Sequence, residues 1–273
     1  MVTQKYKVGK NKFGIRTTSE RFAEWLDYAL GEYRFKGKCL LGYSVVINDE
    51  PTEDATKVGR QFHSLNRGSL QVIKSLDMAS VGRMLLGELD ATLVPDRRDG
   101  IYVEYALLRR NGTTALLPGM LLAYVGGLRL QVRQAGITLP YAKYVAVEPS
   151  SGLVVPVKPK LKVPEDAIER LEQLDAGGAA PERRPLSEPT PVDLIYTFVS
   201  AGHAPVMQAS RGLGLHHLLS NTMNLELLGG DVLDGLARLA SGAQVQQLAF
   251  NGQREMLRAV TDSMAGLPAM PTA

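Results

Sequence analysis

The 273-residue sequence has one cysteine, Cys39, one tryptophan and four histidines. A single cysteine excludes an internal disulfide framework and a cysteine-rich zinc site, and it fits a reducing compartment. No run of 18 apolar residues occurs, so no membrane-spanning helix is expected. The stretch MVTQKYKVGK has no apolar core, so no secretory signal is expected and a cytoplasmic location follows. Charge of either sign is nearly balanced, at +3 overall with no basic stripe, which argues against nucleic acid as a partner. The spacings H-E-x-x-H, C-x-x-C and G-x-S-x-G are all missing, and with them the zinc-protease, thiol-redox and hydrolase-elbow chemistries. His216 and His217 are adjacent, so on a helix they point about 100° apart and share a metal poorly. With His63 and His203 they read as polar or core residues, and Cys39 reads as a small buried hydrophobe beside a strand. No catalytic residue, metal or cofactor is assigned.

What is present is a globular composition, 45% hydrophobic and 22% charged, long enough for one or two domains. Thr17 and Glu20 have capping-box spacing ahead of Phe22, Trp25, Leu26, Ala29 and Leu30, a helical stripe that Gly31 would stop. Leu40 to Ile47 reads as a strand, and Arg67-Gly68 as a hairpin turn between Phe62–Leu65 and Leu70–Ile73. Asp77 suits the cap of a helix carrying Val81, Leu85 and Leu89. Asn111-Gly112 is the strongest hairpin signal, joining Ile101–Leu108 to Thr113–Leu117. After Met120, a helical stripe contains Gly126-Gly127, each costing about 1 kcal/mol in a helix relative to alanine. Either the helix starts after these glycines or a close contact requires them. A second hairpin-like pair flanks Pro149 to Gly152, and Pro164 opens a further helix. Helical patterns near 210–220, 231–241 and 253–264, with strands at Leu194–Val199 and Val245–Phe250, complete the chain.

This pattern predicts an α/β or α+β protein, a mixed β-sheet with hairpins flanked by helices. It divides into an N-terminal α/β region (1–95), a core region (96–175), a Pro-rich linker or loop (176–191), a C-terminal α/β region packing on the core (192–265) and a flexible tail (266–273). Core candidates are Phe22, Leu26, Val46, Leu85, Leu116, Leu128, Val132, Val145 and Leu171.

Three segments of the middle region occur in a suggestive order. They are Asp99-Gly-Ile-Tyr-Val-Glu104, Ala115-Leu-Leu-Pro-Gly119, and Ala135 to Val145. This order resembles the HPr kinase/phosphorylase-like kinases, including relatives from peptide-modification gene clusters. The resemblance covers about 95–175. It implies a kinase-like middle region, with Thr113–Leu117 and Tyr144–Val147 in one central sheet. Those two strands in separate sheets would mark the likeness as chance. Each diagnostic position departs from the family. Asp99 stands where the family has histidine, and Gly119 is followed by neither the lysine nor the Ser/Thr of a phosphate loop. Ala142-Lys143 replaces the metal-binding aspartate pair.

The resemblance therefore implies a catalytically inactive, peptide- or protein-binding accessory subunit, in a setting such as natural-product peptide modification. Arg129, Arg133, Lys143, Asp99 and Glu104 are the candidate anion- or partner-binding residues. Gly119, Gly126 and Gly127 mark the degenerate phosphate-loop region. Alternatives are an active transferase that clamps phosphate with Arg129, Arg133 or Lys143 and uses Asp99 or Glu104 as base, or a self-associating homo-oligomeric scaffold.

Overall fold

A computed structural model describes residues 1–48, 62–126, 128–138, 143–157, 159–174, 186–199, 206–249 and 252–265. The chain builds two compact units, Met1–Leu93 with Pro159–Ala180, and Val94–Lys158 with Pro181–Ala273. Both mix helix and strand, as the pattern predicts.

The first unit opens with the antiparallel strands β1 (Val2–Val8) and β2 (Asn11–Thr17), turned by Gly9 at φ +58°. Helix α1 (Glu20–Leu30) follows. Its cap is Ser19, whose hydroxyl accepts from Phe22 N, and not Thr17, which instead accepts from Ser19 N. Strand β3 (Leu40–Val46) runs parallel to β2, and β4 (His63–Arg67) and β5 (Leu70–Ser75) close the five-stranded sheet β1-β2-β3-β4-β5. On β3 the inward positions are Tyr43 and Val45, so Val46 is only half-buried, one residue out of phase with expectation. Asp77 caps α2 (Met78–Ala91) by accepting from Ser80 N.

The second unit begins with β6 (Ile101–Val103), β7 (Tyr105–Arg110) and β8 (Thr113–Pro118). Asn111 (φ +48°) and Gly112 (φ +84°) make the β7–β8 turn, as their sequence signals. Helix α3 (Gly119–Gly126) starts before the glycine pair, and α4 (Arg129–Gln134) starts after it. A helix does start after the glycines, as one of the two readings has it, and the stripe before them forms a separate short helix. Leu128 caps α4 half-buried, whereas Val132 is fully buried. Strands β9 (Val145–Val147) and β10 (Val154–Val155) form the next hairpin.

The chain then returns to the first unit as α5 (Ala167–Leu174). The Trp25 indole on α1 donates to Ala167 O at 2.7 Å, and Leu171 fills the space beside Gly82 of α2. These contacts hold α5 in the first unit, although the sequence grouped it with 96–175.

The remainder of the second unit is β11 (Leu194–Val199), β12 (Val206–Gln208), α6 (Arg211–Ser220), α7 (Leu225–Leu228), α8 (Asp231–Gly242), β13 (Gln244–Ala249) and α9 (Gln253–Ala265). Its larger sheet has the order β12-β13-β11-β8-β7, with β8, β11 and β13 parallel. Its smaller sheet is β10-β9-β6. Both sheets share one apolar core with α6 and α8, including Ile101, Val103, Leu116, Val145, Ile195, Leu218 and Leu236.

Thr113–Leu117 and Tyr144–Val147 are buried, as expected, but they lie in different sheets. The one-sheet arrangement implied by the kinase resemblance is overturned. The physical reason is a break at Glu104. The expected continuous strand Ile101–Leu108 is two strands, and β6 pairs with β9 while β7 pairs with β8.

Candidate functional site

Glu104 occupies the one residue between β6 and β7, and all its polar groups are engaged. Its N–H donates to Asn221 O at 2.8 Å, which extends an antiparallel contact begun by the bridge between Val103 and Thr222. Its carbonyl accepts from Gly119 N at 2.9 Å. Its carboxylate accepts from Lys143 Nζ at 2.9 Å. The Gly119 bond carries the β7–β8 register one residue past Tyr105 and Pro118, so Glu104 is the point at which pairing with β9 gives way to pairing with β8.

Of the residues singled out from sequence, the structure therefore brings together Glu104, Gly119 and Lys143. Gly119 follows β8 directly and opens α3, the place where a phosphate loop would present free N–H groups. Here that N–H is used by Glu104. The surroundings are also filled with protein. A Cβ on Gly119 would lie 2.5 Å from Lys143 O, 2.9 Å from Glu104 Cγ and 3.0 Å from Glu104 O. The Lys143 side chain is mostly covered, at 12% exposure, and shares its charge with Glu104. This arrangement ties the start of α3 to the strand break and to the segment before β9. It offers an incoming phosphate neither the glycine N–H nor an uncompensated lysine.

Asp99 belongs to a second cluster. Arg97 Nε and Nη2 donate to its two carboxylate oxygens at 3.0 and 2.6 Å, and the Tyr102 hydroxyl donates to it at 3.1 Å. These donors hold the Asp99 carboxyl well below the usual carboxylate range, the Arg97 bonds contributing most. A carboxylate so stabilised is a weak proton acceptor, which counts against Asp99 as a general base. The Arg97 guanidinium lies 4.3 Å from the Tyr102 ring centroid, and Tyr102 meets Tyr144 edge-on at 6.0 Å. Burial, chiefly, pushes the Tyr102 hydroxyl upward. Asn224 locks the same strand from outside. It accepts from Tyr102 N at 3.0 Å and donates to Arg97 O and Gly100 O at 2.9 and 2.8 Å. Sequence reading missed Arg97, Tyr102 and Asn224. The Arg97-x-Asp99 spacing was visible, but it sits in a charged turn-like run. Asn224 carries no local signal because its partners lie more than a hundred residues away.

Arg129 and Arg133 both lie on α4, and Arg133 is exposed in its last turn. Gly126 ends α3, and Gly127 lies outside the described residues. Cys39 is half-exposed just before β3, contrary to the expected burial, because the neighbouring end of that strand is itself exposed. Nδ1 of buried His63 accepts from Asn48 N, and His203 lies outside the described residues. His216 and His217 are edge-on neighbours on α6, with His217 pushed below the usual range by burial and then by His216. Among the described residues no three His, Cys, Asp or Glu converge as metal ligands, and no helix is long and apolar enough to cross a membrane.

Comparison with protein-family models, with curated proteins and with solved structures gives no match to this chain.

Proposed function

We propose that this protein is a non-catalytic binding subunit that engages a protein or peptide partner, and not a phosphotransferase. The observation that carries this reading is the Glu104–Lys143–Gly119 contact. The residue types that would serve an anion are turned on one another: the lysine faces a carboxylate, and the helix-start N–H faces a carbonyl. The transferase alternative needs Lys143 for phosphate and Asp99 or Glu104 as base. Glu104 is spent on Lys143, and Asp99 on Arg97. Kinship with HPr kinase-like proteins is not needed for this reading, and the two separate sheets speak against it.

Calorimetric titration of ATP, with and without Mg²⁺, tests it. No binding heat up to millimolar nucleotide is expected, and no phosphate transfer. Micromolar binding, or labelled phosphate appearing on protein or peptide, overturns the proposal and returns Arg129, Arg133 and Lys143 to the role of phosphate ligands.

A further inference from the structure

In the first unit, α1 and α2 pack on the sheet face that buries Tyr6, Ile15, Val45 and Leu65, and α5 packs on those helices. Alternation along β1 and β2 puts Lys5, Lys7, Lys12 and Arg16 on the opposite face. The pairing register makes them one cluster. Lys7 and Lys12 are direct partners, and Lys5 is the partner of Gly14, so Lys12 and Arg16 are both diagonal to it. Diagonal neighbours on one sheet face lie about 7–8 Å apart. Gly14 contributes no side chain, so the middle of the cluster is backbone. Leu41, 45% exposed, leans in from β3, its Cδ1 3.5 Å from where a Cβ on Gly14 would lie. Lys5 Nζ donates to Gly37 O at 3.1 Å, and Lys12 Nζ lies 5.1 Å from the Phe35 ring centroid. These contacts bring exposed Lys36 and Lys38 to the same rim.

No carboxylate of the sheet answers this charge. None of the five strands contains Asp or Glu. Lys5, Lys7, Lys12 and Arg16 make no ion pair with any described residue. Arg16 Nε is buried without a hydrogen-bond partner. The acids of α1 and α2 belong to the helical layer across the sheet, where Asp27 is taken by Arg34. Glu32, in the turn Gly31–Tyr33, is the described acid nearest in sequence to the 35–38 rim. Like charges set directly opposite destabilise a sheet, and Lys7 and Lys12 are so placed.

We infer that this corner of the β1–β2 face is a docking surface for an acidic segment of a partner protein, with carboxylates on Lys5, Lys7, Lys12 and Arg16 and an apolar side chain on Leu41. The inference rests on the binding reading above and names its partner class. Charge complementarity sets the sign of the occupant. A short acidic stretch fits better than a nucleic acid. Phe35, the aromatic of the rim, already carries Lys12 over its ring, where a base would stack. The chain is only +3 overall, so the positive field is confined to this corner and does not follow a polyanion along its length.

The test uses the full chain and three labelled probes: a peptide of glutamate and leucine, its counterpart of lysine and leucine, and a single-stranded oligothymidylate. Fluorescence anisotropy should show binding of the glutamate peptide alone, weakened by added salt. Lys7→Gln with Lys12→Gln should weaken it about tenfold at low salt, from two exposed ion pairs lost. Arg16→Gln should weaken it as well. Lys7→Gln alone relieves the like-charge opposition and should leave the melting temperature unchanged or higher, which separates lost binding from lost folding. Lys74→Gln is the control: it removes one charge from the same sheet face at the β5 edge and should leave binding unchanged. Equal binding of the lysine peptide or the oligonucleotide, unchanged binding by the corner variants, or an equal loss with Lys74→Gln overturns the inference. So does a dimer in light scattering that the double lysine variant abolishes, which would make the occupant a second copy. Residues 49–61, outside the described residues, contain Asp49, Glu50, Glu53 and Asp54 beside Lys57 and Arg60. Peptide binding seen only after Asp49→Asn, Glu50→Gln, Glu53→Gln and Asp54→Asn would assign the corner to this chain's own acids and likewise overturn it. ATP calorimetry is read separately. Nucleotide turnover would defeat the non-catalytic proposal while peptide binding at the corner stood. A silent nucleotide titration with no peptide binding would defeat the corner alone.

Discussion

Replacing Gly119 by alanine tests the packing of the candidate site directly. The added methyl would sit 2.5 Å from Lys143 O, 2.9 Å from Glu104 Cγ and 3.0 Å from Glu104 O. Two of these three atoms are backbone oxygens, which cannot rotate away as a side-chain tip can. A relaxed carbon–oxygen contact is near 3.3 Å, so the start of α3 must withdraw by several tenths of an ångström. Withdrawal stretches the 2.9 Å bond from Gly119 N to Glu104 O and shifts the carboxylate that meets Lys143. Overpacking of this kind costs about 1–3 kcal/mol, and rigid backbone neighbours place this case toward the upper end. The gain in helix propensity from Gly to Ala is at most about 1 kcal/mol, and it is smaller at a helix's first residue. A net loss of about 2 kcal/mol is expected, a fall in melting temperature of roughly 4–8 °C for a domain of this size. Urea unfolding followed by circular dichroism measures it. Gly100→Ala is the control, since its methyl would lie 3.5 Å from Val147 O, an ordinary contact. A Gly119→Ala protein as stable as the wild type, or no less stable than the control, would refute the view that this junction is filled by protein and would reopen it as a ligand cradle.

Two further outcomes follow from the same region. Asn224→Ala removes three hydrogen bonds at a 2% exposed position and strands one N–H and two carbonyls. It should cost about 2–4 kcal/mol in urea unfolding, and a loss under 1 kcal/mol would mean that water replaces the amide freely. The Arg97–Asp99 pair should make stability depend on acid. Asp99 has a depressed carboxyl in the folded state, so its contribution is complete above the unfolded value near pH 4 and disappears as pH falls below it. The Asp99 side chain is 59% exposed, so screening limits this contribution to about 1 kcal/mol. The difference between wild type and Asp99→Asn should therefore be flat at neutral pH and vanish in acid; a difference that stayed constant down to about pH 2 would show that the charge plays no part.

Much of the fold was legible because its signals are local. Asp77 caps α2, Asn111-Gly112 turns β7 into β8, and Phe22 to Leu30 gives α1 its buried face, each readable within a few residues. The failures came where a distant partner decides. Nothing between Ile101 and Leu108 announces a strand break, since the sequence there is almost uniformly apolar. Glu104 is where one set of partners gives way to another, and its own partners, Asn221, Gly119 and Lys143, are none closer than fifteen residues along the chain. The error in assigning Tyr144–Val147 to the larger sheet follows from that single residue, because β9 pairs with the strand before the break and not with the one after it. The candidate site was half legible for the same reason. Glu104, Gly119 and Lys143 were marked as residues, but their charges were read as available when they cancel one another. A lysine in sequence is a free cation until its neighbours are known, and here the neighbour lies 39 positions away across a sheet switch. The middle region, which drew attention by its order of segments, is closed on itself, because the charges that spacing leaves open in the sequence are paired within the fold at Glu104, Gly119 and Lys143.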